Sequence, residues 1–131
     1  MPLGEQQLPN NERRRSTSPA SILDPAEGLH LAAGKADLAA EMFGMLLDSL
    51  PDDRQIIQQA RANQAHDTLL ERVHRLHGAT RYCGVPQLRA ACQHSETLLK
   101  QHSPAAAAAL DELDTAIAQL LAATAQPSHA L

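Results

Sequence analysis

From Ile22 onward, apolar residues recur at three- and four-residue spacing, and the breaks between periodic runs carry capping residues and prolines. The pattern is that of successive amphipathic helices. Asp24 can cap the first, Pro25 suits its first helical position, and Glu27 stands where a capping box has its reciprocal acid. This short helix is expected to reach about Ala33 and to end at Gly34. A second is expected from about Lys35 to Leu50, with Leu38, Met42, Met45 and Leu46 as its buried stripe. Pro51 is expected to break or restart the chain, placing Asp52 and Asp53 in the first turn of a third helix. That helix should end near Asn63, a residue tolerant of left-handed backbone. The fourth spans about Ala65 to Cys83. Val85-Pro86 opens a fifth, to about Gln101, with Leu88, Cys92, Leu98 and Leu99 facing inward. Ser103-Pro104 repeats the cap-then-proline signature before a sixth, to about Ala123, buried through Leu110, Leu113, Ile117 and Leu120.

The connections are short, so consecutive helices should be antiparallel neighbours. The expected fold is all-α: an antiparallel four-helix bundle with one or two additional short N-terminal helices. Residues 1–21, rich in Pro, Asn, Gln, Ser and Arg without periodicity, read as a disordered tail or linker. The bundle is expected over 22–124 and a C-terminal tail over 125–131. No internal repeat is evident.

Composition narrows the class. The 131 residues are 44% apolar with one Phe, one Tyr and no Trp, a make-up that suits close helix packing better than a sheet sandwich. The net charge of −4 argues against nucleic-acid binding, and Arg13, Arg14 and Arg15 form the only basic run. No apolar stretch is long enough to span a bilayer and no signal-like core opens the chain, so the expectation is a cytoplasmic protein without direct membrane contact. Cys83 and Cys92 lack zinc or redox spacing and are expected to be buried thiols.

The fourth helix carries the chemistry. At about 100° per residue, Leu69, Val73, Leu76, Thr80 and Cys83 gather on one side, and His74 points away from them with Asp67, Gly78 and Arg81 on its face. Glu71 and His77 flank it. Gly78 lies one turn beyond His74, where a glycine costs about 1 kcal/mol relative to alanine. Absence of a side chain there would let another protein's backbone approach the imidazole. His77 and Arg81 could contact an added phosphoryl group. Asp67 or Glu71 could orient the ring, although a carboxylate there would also repel phosphate. Gly84 reads as structural, closing the helix and permitting the turn.

The segment His74-Arg75-Leu76-His77-Gly78, with Gly84 six residues beyond Gly78, resembles the active helix of histidine-containing phosphotransfer (HPt) domains. Val85-Pro86-Gln87-Leu88-Arg89, Cys92, Glu96, Ala33 to Ala39 and Leu50-Pro51-Asp52 are most similar to the HPt domain that ends BarA/GacS-type hybrid sensor kinases. The resemblance covers about Ile22 to Ala123. It implies that His74 is the phosphorylated histidine, acting as phosphoacceptor and donor, and that Gly78 admits the partner. His77 stands where many members have lysine. It further implies relay of phosphoryl groups between receiver-domain aspartates of a hybrid kinase and a response regulator. No ATP-dependent kinase activity and no bound cofactor are implied, and Mg²⁺ belongs to the receiver. The isolated domain is expected to be a monomer that docks receivers through an apolar rim including Leu70 and residues of the second helix.

Two other classes stay open on the residues alone. One is a bundle that kept the fold for protein interaction without phosphotransfer. The other is a metal-binding bundle, since Glu71-x-x-His74 matches half of a di-iron pattern. A His74/His77 pair offers only two ligands. His30, His66, His94, His102 and His129 show no convergent ligand spacing.

Overall fold

The computed structural model describes residues 21–125, and they form five helices: α1 (Pro25–Leu31), α2 (Ala36–Ala62), α3 (His66–Thr80), α4 (Pro86–Lys100) and α5 (Ala106–Thr124). The expected tail over 1–21, apart from Ser21, and residues 126–131 of the expected C-terminal tail lie outside the described residues. So do Arg13, Arg14, Arg15 and His129. Helix α2 packs on α3, α3 on α4 and α4 on α5, while α5 returns to α2 and closes the bundle. Helix α1 lies against α2 at one end.

The core is aliphatic, as the composition required. Leu50 and Ile57 of α2, Val73 and Leu76 of α3, Leu88 and Cys92 of α4, and Leu113, Ile117 and Leu120 of α5 are all buried. Each such side chain contributes roughly 1.5–3 kcal/mol through removal from water.

The expected second and third helices are one. Helix α2 runs continuously through Pro51, leaving a single additional short helix outside the bundle. The reason lies in the stripe that α2 buries. Leu46, Leu50, Asp53, Ile57 and Ala60 follow one another at spacings of four and three without a change of phase across the proline. Pro51 itself is exposed, so its ring faces water and the lost N–H bond is offset by packing on either side. Ser49 Oγ bridges the site, 3.1 Å from the Leu46 carbonyl and 3.0 Å from the Asp53 carboxylate. Asp53 is buried and pairs with Arg72 of α3 at 3.3 Å.

Four further expectations need correction. Leu38 and Met45 do not join the buried stripe of α2: Met45 is 61% exposed and Leu38 is also on the surface. The left-handed residue after α2 is Gln64, not Asn63. Asp24 caps α1 through Glu27 N–H at 3.1 Å, but the Glu27 carboxylate turns to Arg89 of α4 at 2.6 Å instead of closing a capping box. The Asp24 N–H bonds the Gly84 carbonyl. Finally, α3 ends at Thr80 and α5 starts at Ala106, with Ser103 Oγ accepting from Ala105 N–H in the preceding turn.

Gly84 is structural for a sharper reason than helix termination. Its φ is not positive, so handedness does not demand glycine. A Cβ at this position would collide with the Asp24 carbonyl and lie 2.7 Å from the Gly28 nitrogen. The loop after α3 thus meets the start of α1 backbone to backbone. Arg89 locks the junction, donating to the carbonyls of Thr80 and Cys83 as well as to Glu27.

Candidate functional site

Helix α3 presents its residues as its apolar periodicity dictates. Leu69, Val73, Leu76, Thr80 and Cys83 are buried, and the His74 side chain on the other side is 67% exposed. Gly78, one turn on, has nothing within 4 Å of the place a Cβ would occupy. No packing contact therefore calls for glycine there. Arg81 is exposed at the end of the helix, about 10 Å along its axis from His74.

Glu96 of α4 faces this helix and is buried. Its two oxygens divide between two imidazoles: Oε2 lies 2.5 Å from His74 Nδ1 and Oε1 lies 2.8 Å from His77 Nδ1. Lys100, one turn further along α4, reaches Oε2 at 3.2 Å. Burial pushes the Glu96 carboxyl upward, but hydrogen bonds from His74, His77 and Lys100 outweigh it and hold the group down at about 2. At neutral pH Glu96 is therefore an anion and can only accept. Nδ1 of His74 must carry the proton it donates, so a neutral ring keeps its lone pair on Nε2. The carboxylate fixes both the orientation and the tautomer of an otherwise exposed ring.

Asp67 and Glu71, the sequence candidates for orienting His74, bond neither imidazole. They line a shallow hollow of about 350 Å³ beside it, together with Leu70, Glu96 and Lys100. His77 is largely covered, its side chain 14% exposed and turned to Glu96. The structure thus brings His74 and His77 onto one carboxylate and leaves Arg81 apart. Sequence reasoning did not assign Glu96 a role, although a signal existed. It falls among Leu88, Cys92, Ser95 and Leu99 on the buried face of α4, where a charged residue requires partners.

The remaining histidines lie elsewhere. His66 and His102 stack on each other with ring centroids 4.3 Å apart, and His94 approaches Glu112 at 3.6 Å. Burial raises the thiol pKa of both Cys83 and Cys92. Among the described residues no group of three or more His, Cys, Asp or Glu side chains is arranged to hold a metal ion. None of the described helices is long and apolar enough to cross a membrane.

An all-helical bundle with an exposed histidine, oriented from the next helix and standing beside an open glycine, defines the class of helical phosphotransfer modules. The comparisons agree: residues 41–123 match the Hpt domain model, and the chain belongs to that family. It is 69% identical over 101 residues to the sensor histidine kinase GacS of Pseudomonas protegens, an alignment covering 77% of this chain and 11% of that protein. It is 36% identical over 103 residues to the signal transduction histidine-protein kinase BarA of Escherichia coli, covering 74% of this chain and 11% of that protein. The chain thus spans about a tenth of the length of the curated relatives it matches. Among solved structures, the HPT domain of a hybrid histidine kinase from Shewanella superposes with a TM-score of 0.63 at 37% identity, covering 80% of this chain and 97% of that one. Membership of the family implies a phosphotransfer role in a two-component phosphorelay.

Proposed function

We propose that His74 accepts a phosphoryl group from the aspartate of one receiver domain and donates it to that of another. The observation that carries this reading is the Nδ1 contact with Glu96, which reserves Nε2 on the exposed side of the ring. Nε2 attacks the phosphorus of an aspartyl phosphate in line with the leaving oxygen. The N–P bond forms as the P–O bond to the carboxylate breaks, and the receiver's aspartate departs as a free carboxylate. The ring gains positive charge in this step and keeps its Nδ1 proton. The Glu96 anion offsets that charge, as a buried carboxylate behind a general-base histidine stabilises the imidazolium that forms there. Mg²⁺ is carried by the receiver.

Gly78 is proposed as the point of receiver approach, with Leu70 and the exposed Met45 and Leu38 of α2 as apolar docking surface. The functional module is proposed to be the bundle over 22–124. Its partners are the receivers of a hybrid kinase and a response regulator, at the cytoplasmic face of an inner-membrane-anchored sensor kinase. The module needs no nucleic acid or direct membrane contact and acts as a monomer.

Incubation with a phosphorylated receiver tests the proposal. The wild-type protein should gain an acid-labile, base-stable phosphoryl group, and His74→Gln should gain none. Full labelling of His74→Gln would show that another residue is the acceptor; an unlabelled wild type would leave only an interaction bundle. Gly78→Glu should slow transfer while the helical circular dichroism spectrum is retained. Unchanged kinetics in that variant would remove the access role of Gly78.

A further inference from the structure

We propose that the groove between α4 and α5 is the docking site for the arginine run Arg13-Arg14-Arg15 of this same chain. The proposal does not depend on the role of His74.

The groove has a volume of about 620 Å³. At about 100° per residue, Gln87, Ala91 and His94 face away from Glu96 on α4, so the groove and the histidine site lie on different sides of that helix. Ala90, Ala91 and Ala116 line it, which leaves room for a segment to lie close to both helices. Its two ends differ in polarity. At one, Gln87 Nε2 donates to Gln119 Oε1 at 2.9 Å, while Gln87 Oε1 is buried without a hydrogen-bond partner. At the other stand the exposed carboxylates of Asp111 and Glu112, and no Lys or Arg is among the described residues that line the groove. Their present partners leave charge available. Arg61 takes one oxygen of Asp111, and His94 is 3.6 Å from Glu112, beyond a normal hydrogen bond.

The course of the chain makes its own arginines the occupant. The Ser21 carbonyl accepts from the Gln87 N–H at 2.9 Å, which places Ser21 at the Gln87–Gln119 end. From Gln87 to His94 the groove runs seven residues along α4, about 10 Å. Arg15 lies six residues before Ser21 and Arg13 eight, giving reaches of at most about 20 and 27 Å. Both exceed the length of the groove, so the run can meet Asp111 and Glu112 without full extension. The intervening Ser16-Thr17-Ser18-Pro19-Ala20 is small enough for an alanine-lined channel, and its hydroxyls offer donors to Gln87 Oε1. Exposed ion pairs are individually weak, and a short tether offsets this by holding the partner at roughly millimolar concentration. The acidic hollow beside His74 is a poorer fit, because it lies across α4 and carries its own cation, Lys100.

The test uses the full chain, isotope-labelled for amide NMR. It compares wild type, the triple variant Arg13→Gln, Arg14→Gln, Arg15→Gln, the single variant Glu112→Lys, and all four substitutions together. At about 0.05 M salt the triple variant should shift the amides of Ala91, Thr115 and Ala116 and leave those of Leu69 and Val73 in place. Raising the salt to about 0.5 M should remove the difference between triple variant and wild type. Glu112 is exposed, so its substitution spares the core. Glu112→Lys should abolish docking, and adding the arginine substitutions to it should move these amides no further. Groove amides that ignore the arginines overturn the proposal, as does a response confined to Asp67 and Glu71. A response that fades on dilution assigns the groove to the arginines of a second copy, which overturns docking within one molecule.

Discussion

At the scale of single residues, the site depends on a buried carboxylate whose charge is kept by its partners. Glu96 is shielded from water, and shielding alone would favour its neutral form. Three donors reverse that preference and depress its pKa from the ordinary 4.5 to about 2. A carboxyl whose folded-state pKa lies below its unfolded value stabilises the fold above the unfolded pKa, and that stability is lost as pH falls through the folded one. Urea unfolding of wild type and Glu96→Gln should therefore differ in full above about pH 4.5 and converge toward pH 2. A stability difference that stays constant across that window would mean the Glu96 charge is not what its neighbours stabilise. The same residue explains how an exposed histidine can be well oriented: the side chain reaches water while its Nδ1 is anchored on Glu96.

At the scale of elements, α1 and the loop after α3 act as one unit. Gly84 lies against the Asp24 carbonyl, the Asp24 N–H returns a 2.7 Å bond to the Gly84 carbonyl, and Arg89 ties the loop to Glu27. Gly84→Ala forces backbone apart at that contact. Hydrogen exchange of the Asp24 and Gly28 amides should accelerate and the melting temperature should fall, while α4 and α5 remain protected. Unchanged exchange in α1 would show that the junction tolerates a methyl group and that the loop holds α1 by other means. Helix α2 teaches a second lesson at this scale. Proline in a sequence usually marks an interruption, but here the stripe on both sides keeps one phase and the ring faces solvent, so tertiary packing overrides the local penalty.

At the scale of the whole molecule, the closure of the bundle and the proposed site occupy different seams. His74, His77, Glu96 and Lys100 sit where α3 meets α4. The bundle closes where α2 meets α5, through the paired hydrogen bonds of Arg54 to Asp114 at 2.7 and 3.0 Å and the Arg61–Asp111 pair. Hydrogen bonding to Arg54 holds the Asp114 carboxyl below the usual carboxylate range. Both members of that pair are partly exposed, so Arg54→Ala should cost only about 0.2–1 kcal/mol in chemical denaturation. Phosphotransfer from a receiver should proceed at the wild-type rate in this variant. A slowed rate would show that the closing seam is coupled to the site.

Much of this was determined by the sequence alone. The three- and four-residue spacing of apolar positions set the helices, and the phase of α3 placed His74 opposite Leu69, Val73 and Leu76, because helix geometry fixes angular separation once the residue number is known. Gly78 was legible for the same reason. What crosses between helices was not. The pairing of Glu96 with residues 22 and 19 positions earlier, and the close approach of Gly84 to Asp24, depend on how whole helices pack. The exposure of Met45 within an apolar run and the continuity of α2 through Pro51 were decided in the same way. Local spacing shows which face a residue takes, and only the assembled bundle shows what that face meets.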